Sequence, residues 1–272
     1  MLPREVGYAR PTSVAEAIGL LAENEGARAL AGGQTLVSVM KARVASPDAL
    51  VDLNGLDELK GVELRPDGSL EIGAMTTYTD IVESAEARAR PILGEVCAQI
   101  ADVQVRNRGT IGGNICANDP TNHLPPLLVA LGAEMTVAGA DGERIVTAED
   151  FFLGVYLTAV GPGELLTKIT IPPGRRDGFA SVTIGRDGTC LVCAAVSLDN
   201  TPRVAIGCVD SVPHRATEVE ARLAGDPQAA VDGLGATLDP PGDVHAPADY
   251  RRHLAEVVVA RAIAQANERG GS

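Results

Sequence analysis

Two short stretches pair glycines with hydrogen-bonding neighbours: Ala31-Gly32-Gly33-Gln34-Thr35-Leu36 and, eighty positions on, Thr110-Ile111-Gly112-Gly113-Asn114. Where no Cβ stands in the way, main-chain N–H groups approach a ligand closely, so paired glycines can hold a phosphate without a lysine. One such pair is an ordinary turn; two can grip both phosphates of a dinucleotide between them. The common nucleotide motifs are absent, with no G-x-G-x-x-G and no G-x-x-x-x-G-K-[ST] in the chain. A Rossmann domain and a P-loop are thereby set aside.

The other chemistry-bearing residues read as structural. Cys190 and Cys193 form a C-x-x-C in an apolar, strand-like run, where positions i and i+3 point to opposite faces and do not share a metal. The expectation is a pair of small core residues. The remaining cysteines, Cys97, Cys116 and Cys208, give no plant-type C-x4-C-x2-C grouping, and His123, His214, His245 and His253 give no H-E-x-x-H. No metal site is therefore expected in this chain. Acidic residues such as Glu218 and Glu220 are dispersed and read as solvated helix faces. Arg251, Arg252 and His253 suit either a partner-docking patch or a solvated helix face.

Composition bounds these readings. The 272 residues are 45% hydrophobic, enough for two or three modest domains with packed cores. A net charge of -13 argues against nucleic acid, which needs a basic face. Aromatics are 3% of the chain and tryptophan is absent, so a planar ligand must be packed by aliphatic side chains and backbone. There is no run of about 18 apolar residues for a membrane span and no apolar core of signal-peptide length at the start. With five scattered cysteines, a reducing, cytoplasmic setting is expected.

The elements that must position the two glycine pairs follow from periodicity. Thr12-Ser13 starts a helix through Val14, Ala17, Ile18 and Leu21; a strand at 27–31 runs into the first pair, a helix follows at 35–43, and a strand at 49–53 completes a β-α-β unit. Short strands at 61–64 and 69–74 come next, then a short helix capped by Thr79 or Asp80 and another opened by Pro91. The second glycine pair reads as a loop, with a buried helix at 127–131 some residues on. A hairpin spans 134–139 and 143–146, and a strand at 164–171 ends at Pro172-Pro173. The boundary falls at 174–178. Beyond it lie three strands, 179–184, 189–198 and 202–209, then only helices at 215–223, 227–234 and 248–268. Strands followed by segregated helices indicate an α+β unit with helices on one face of a three-stranded antiparallel sheet.

Together, AGGQTL, the run Ile100-Ala101-Asp102-Val103-Gln104-Val105-Arg106-Asn107-Arg108 into TIGGN, Asp119-Pro120, and Tyr250-Arg251-Arg252-His253-Leu254 resemble the FAD-binding medium subunit of molybdenum hydroxylases, the group of carbon monoxide, nicotinate and xanthine dehydrogenases. The resemblance covers nearly the whole chain. It implies a two-subdomain FAD-binding domain of the PCMH type at residues 1–173, with subdomains of about 1–55 and 56–173, and a C-terminal α+β flavoprotein domain at 178–272. It implies that Ala31, Gly32, Gly33, Gln34, Thr35 and Leu36 form one phosphate loop, and Thr110, Ile111, Gly112, Gly113 and Asn114 the other. Ile100 and Ala101 then border the flavin, and Leu166 contacts it. Two positions depart from the family pattern. Where relatives carry an aspartate, this chain has His123, with Asn122 beside it; where they carry a lysine near the flavin, Thr183 stands, with Arg186 three residues on.

By the same resemblance the chain is an electron-transfer subunit. Electrons pass from iron-sulfur clusters in a small partner subunit, supplied by a molybdenum cofactor in a large one, through FAD to an external acceptor. No side chain here acts on the substrate of the complex. Alternative readings are a free-standing FAD-dependent oxidoreductase acting on its own small substrate, for which the C-terminal third lacks an acid-base constellation, and a scaffold subunit that has lost its cofactor.

Overall fold

The computed structural model describes residues 4–185, 189–199, 201–223 and 227–270. The chain begins with β1 (Gly7–Ala9), α1 (Val14–Glu23), β2 (Ala27–Leu30), α2 (Leu36–Lys41) and β3 (Ala49–Asp52). The strands form a parallel sheet in the order β1-β3-β2. Ser13 caps α1 by accepting from the Glu16 amide, and Ala17, Ile18 and Leu21, at helical spacing, turn inward.

The second sheet is antiparallel. Its first strands, β4 (Val62–Leu64) and β5 (Leu70–Gly73), precede five short helices: α3 (Tyr78–Glu83), α4 (Ile92–Cys97), α5 (Val103–Arg106), α6 (Ile111–Ala117) and α7 (Leu124–Leu131). Then follow β6 (Glu134–Gly139), β7 (Gly142–Thr147), α8 (Ala148–Phe151), a small hairpin of β8 (Phe152–Gly154) and β9 (Leu157–Thr158), and β10 (Leu165–Ile171). Strand order is β4-β5-β10-β6-β7. The cap of α3 is Thr77, not Thr79 or Asp80: its hydroxyl accepts from the Asp80 amide while the Asp80 carboxylate accepts from the Thr77 amide. That reciprocal pair fixes the start two residues earlier than the apolar pattern indicated.

The third sheet is β11 (Asp177–Thr183), β12 (Cys190–Ser197), β13 (Arg203–Gly207) and β14 (His214–Arg215), antiparallel in that order. The three long strands are those expected; β14, with two residues, is too short to show a period of two. Helices α9 (Thr217–Glu220), α10 (Pro227–Val231), α11 (Leu234–Thr237) and α12 (Ala248–Gly270) end the chain. One sheet face packs on α12 through Leu254, Ala255, Val258, Val259, Ala262 and Ile263. The other is covered by α7, all eight of whose residues are buried. Double coverage explains why every residue of β12 is buried. Arg90, after α3, lies across the junction: it bonds Asp177 at 2.8 and 2.9 Å, Ser197 at 3.1 Å and the Pro172 carbonyl, with both charges almost fully buried.

Candidate functional site

The two glycine stretches meet. A Cβ on Gly113 would stand 3.3 Å from that of Ala31, and one on Gly32 would stand 1.9 Å from the Arg108 carbonyl oxygen. Glycine at 32 is what lets the first stretch approach the lead-in to the second. Gly33 has φ +72°, a conformation that costs an L side chain about 1–2 kcal/mol. The amides of Gly32, Gly33, Gln34 and Thr35 find no acceptor among the described residues. Ahead of α2, they form a row of donors that runs from buried at Gly32, through half-buried Gly33, to exposed at Gln34 and Thr35.

This loop is held from behind. Asn54, just beyond β3, donates to the Ala31 carbonyl at 3.0 Å and to Asp52 at 2.6 Å, and Tyr8 donates to Asp52 at 2.5 Å. Burial pushes the Asp52 carboxyl up, but the bonds from Tyr8 and Asn54 outweigh it and keep the group below its ordinary value. Asp52 and Asn54 were not singled out from sequence, although Asp-x-Asn at a strand end is an Asx-turn signal.

The second glycine pair is not a loop. Residues 111–114 are the first turns of α6, and Thr110 is its cap, accepting from the Gly113 amide at 3.0 Å. Its other donors are equally committed: Ile111 to Thr76, Gly112 to Ala74 and Asn114 to Thr110. A Cβ on Gly112 would lie 2.5 Å from the Ala74 carbonyl oxygen, so this glycine serves close packing of helix on strand end. In this structure the N–H groups of Gly112 and Gly113, expected as backbone donors to a ligand, are taken by the protein's own oxygens. What remains unspent here is a side-chain atom. Asn114 Oδ1 is buried without a partner.

Ile100 and Ala101 form the bend before α5. Ala101 has φ +43°, an uncommon conformation for a residue with a side chain, and the Arg106 guanidinium holds the carbonyls of Ile100 and Ala101 at 3.0 and 2.7 Å. Leu166 is buried in β10 beside a bulge, where Thr167 accepts from Ala74, the residue on which Gly112 is docked. Asn122 donates to the Asn114 carbonyl at 3.3 Å. His123 caps the start of α7 without a cap bond; its ring lies edge-on to Phe179 at 5.3 Å, and Nε2 is buried without a partner. Burial lowers its pKa, against the opposing pull of Cys208. Thr183 ends β11, half-buried, and Arg186 lies outside the described residues.

Two further sequence readings are corrected. Arg251 is no docking patch: it is 4% exposed, and its guanidinium bonds the Leu191 carbonyl at 2.5 Å and Asp243 at 2.7 Å. Nor do Cys190 and Cys193 face opposite ways. Strand pairing advances one residue from Val182 to Thr183 on β11 but two from Val192 to Cys190 on β12, so Leu191 is an extra, bulged residue. The bulge swings Cys190 to the face of Cys193.

A row of unspent amides set against a glycine-bearing helix start, on a parallel β-α-β unit joined to an antiparallel sheet, is an arrangement able to accept a phosphate-bearing ligand on its main chain. Comparison with known proteins identifies the family. Residues 4–174 match the FAD binding domain in molybdopterin dehydrogenase, and residues 186–266 match the CO dehydrogenase flavoprotein C-terminal domain. The chain is 38% identical to the carbon monoxide dehydrogenase medium chain of Afipia carboxidovorans, over 99% of each chain, and 36% identical to the glyceraldehyde dehydrogenase medium chain of Sulfolobus acidocaldarius, over 96% of this chain and 98% of that one. It is similar to a solved chain of quinoline 2-oxidoreductase from Pseudomonas putida 86, with a TM-score of 0.93 and 33% identity over 98% of this chain and 99% of that one. The chain belongs to the FAD-binding medium subunits of the molybdenum hydroxylases, a family of flavoprotein oxidoreductase subunits.

Proposed function

We propose that this subunit carries electrons from iron-sulfur clusters of a small partner subunit, fed by a molybdenum cofactor in a large one, through FAD to an external acceptor. The observation that carries the binding half of this reading is the row of amides at Gly32, Gly33, Gln34 and Thr35, which no group among the described residues uses. The residues fit the cofactor. Four N–H groups suit an anionic pyrophosphate, and the orphaned Asn114 Oδ1 and His123 Nε2 can take part in hydrogen bonds with its hydroxyl groups. FAD, when bound, supplies the conversion between one- and two-electron transfer. The chain's own residues do the rest. The first loop would bind the pyrophosphate, Asn54 and Asp52 keep that loop in place, Arg106 fixes the bend at Ile100 and Ala101, and these two residues with buried Leu166 would contact the flavin. Residues 1–173 would hold the cofactor, with Thr183 of the C-terminal half as a further contact.

That relatives named for carbon monoxide and for glyceraldehyde align along their whole length with this chain supports placing substrate choice on another subunit. No helix of the described residues is long and apolar enough to cross a membrane, and the five cysteines are free, which supports a reducing cytoplasmic setting. The test is reconstitution. FAD bound to the purified chain should be reduced by the substrate of the complex only when both partner subunits are present. Reduction by a small substrate with the isolated chain would overturn the reading in favour of a free-standing oxidoreductase.

A further inference from the structure

Three of the five thiols, Cys190, Cys193 and Cys208, converge: their sulfur atoms all lie within 4.8 Å of one another, and all three residues are buried. Three separate features of the backbone make this meeting possible. The bulge at Leu191 brings Cys190 and Cys193 to one face. Gly207 stands opposite Cys193, and a Cβ there would lie 2.8 Å from the Cys193 sulfur, so glycine leaves room for it. Cys208 itself has φ +68°, the left-handed region that a non-glycine residue rarely enters. That turn directs the chain out of β13 and sets the third sulfur beside the other two. Arg251, reaching from α12, bonds the carbonyls of both Leu191 and Cys208 and so fixes the bulge and the turn together.

We propose that Cys190, Cys193 and Cys208 form a binding site for one zinc(II) ion, held by three thiolates with a water as the fourth ligand. Zinc–sulfur bonds of about 2.3 Å in a tetrahedral site place the sulfurs roughly 3.8 Å apart, so closing from 4.8 Å moves each by about 0.6 Å at most. On binding, three S–H bonds break and three Zn–S bonds form; the three protons leave to solvent, and no group is oxidised or reduced. The product carries one net negative charge, opposite in sign to the buried Arg251 guanidinium beside it. Access comes from a cleft of about 10 Å³ that reaches Cys208 between Asp119, Pro125, Pro126 and Asp210, room for about one water. Among the described residues, Cys97 and Cys116 belong to no such group of three ligands. The ion would clip the bulged end of β12 to the turn after β13, and with it Thr183, the strand partner of Cys190.

The test uses the full chain, stripped with a chelator under reducing conditions and dialysed against zinc chloride. One zinc per chain is expected by elemental analysis, with a rise in melting temperature over the stripped protein. Cys193→Ser and Cys208→Ser should each lose the ion and the rise, whereas Cys97→Ala should keep both. Zinc-edge X-ray absorption on the unaltered protein, which needs no variant to fold, should show three sulfur neighbours and one oxygen. A shell of oxygen and nitrogen alone, stoichiometric zinc in Cys193→Ser, or a disulfide among these cysteines with no zinc bound would overturn the proposal.

Discussion

The two glycine pairs look alike in sequence and do different work. In residues 31–36 the amides of four residues find no acceptor among the described residues, and glycine at 32 allows a close approach to the Arg108 carbonyl. In residues 110–114 every amide from 111 to 114 is consumed by the cap or by neighbouring carbonyls, and glycine allows a helix to sit on Ala74. A glycine pair therefore states only that something comes close. Whether that something is a ligand or the protein's own backbone is decided by where the N–H groups go.

Substitutions can break this comparison. The largest effect is expected at Gly32→Val, whose side chain would occupy the Arg108 carbonyl: FAD binding should fall by at least about 100-fold. Retention of stoichiometric flavin on gel filtration would refute the role of the first loop. Gly112→Ala should instead act on the fold, lowering the stability of the FAD-free protein by about 1–3 kcal/mol in urea unfolding, because the Ala74 backbone must give way. Thr110→Val removes the α6 cap and should cost about 1 kcal/mol with less than about a tenfold change in FAD affinity. A 100-fold loss of affinity there would show that the second pair meets the ligand after all.

The smallest effect concerns pH. His123 is buried with a pKa below its ordinary 6.5, so between these values the unfolded chain binds a proton that the folded chain refuses. Stability of the FAD-free protein should then rise with pH through that window, be complete above about 6.5, and fall on acidification. His123→Gln should flatten this slope in urea melts recorded from pH 5 to 7.

What sequence revealed and what it hid follow one line. The β-α-β order, the first glycine loop and the three long C-terminal strands all rest on local periodicity and local turn chemistry, and they were legible. The helical start at Gly112 was not, since two glycines argue against helix until Thr110 is seen capping them and Ala74 is seen to need the space. Nor was the meeting of Cys190 with Cys193. It depends on one bulged residue, and a single insertion in strand pairing inverts every facing assignment made by counting in twos. Ala101 was named by resemblance, but its left-handed backbone, held by Arg106 from five residues away, gave no local signal.

Arg90 and Asp177 bear on how such a chain is inherited. The family matches fall into two pieces that meet near this pair, as though either half were portable. Yet a C-terminal half grafted without an acid at position 177 would leave the Arg90 guanidinium buried and unpaired, a loss of about 3–5 kcal/mol against a typical total of about 5–15, and a chain ending after residue 174 would lose the Ser197 hydroxyl as well. It would also strip the cover from α7. Exchange of the C-terminal half between relatives is therefore open only to donors that bring an acid to this one position, which makes the seam a lock on recombination as well as a joint.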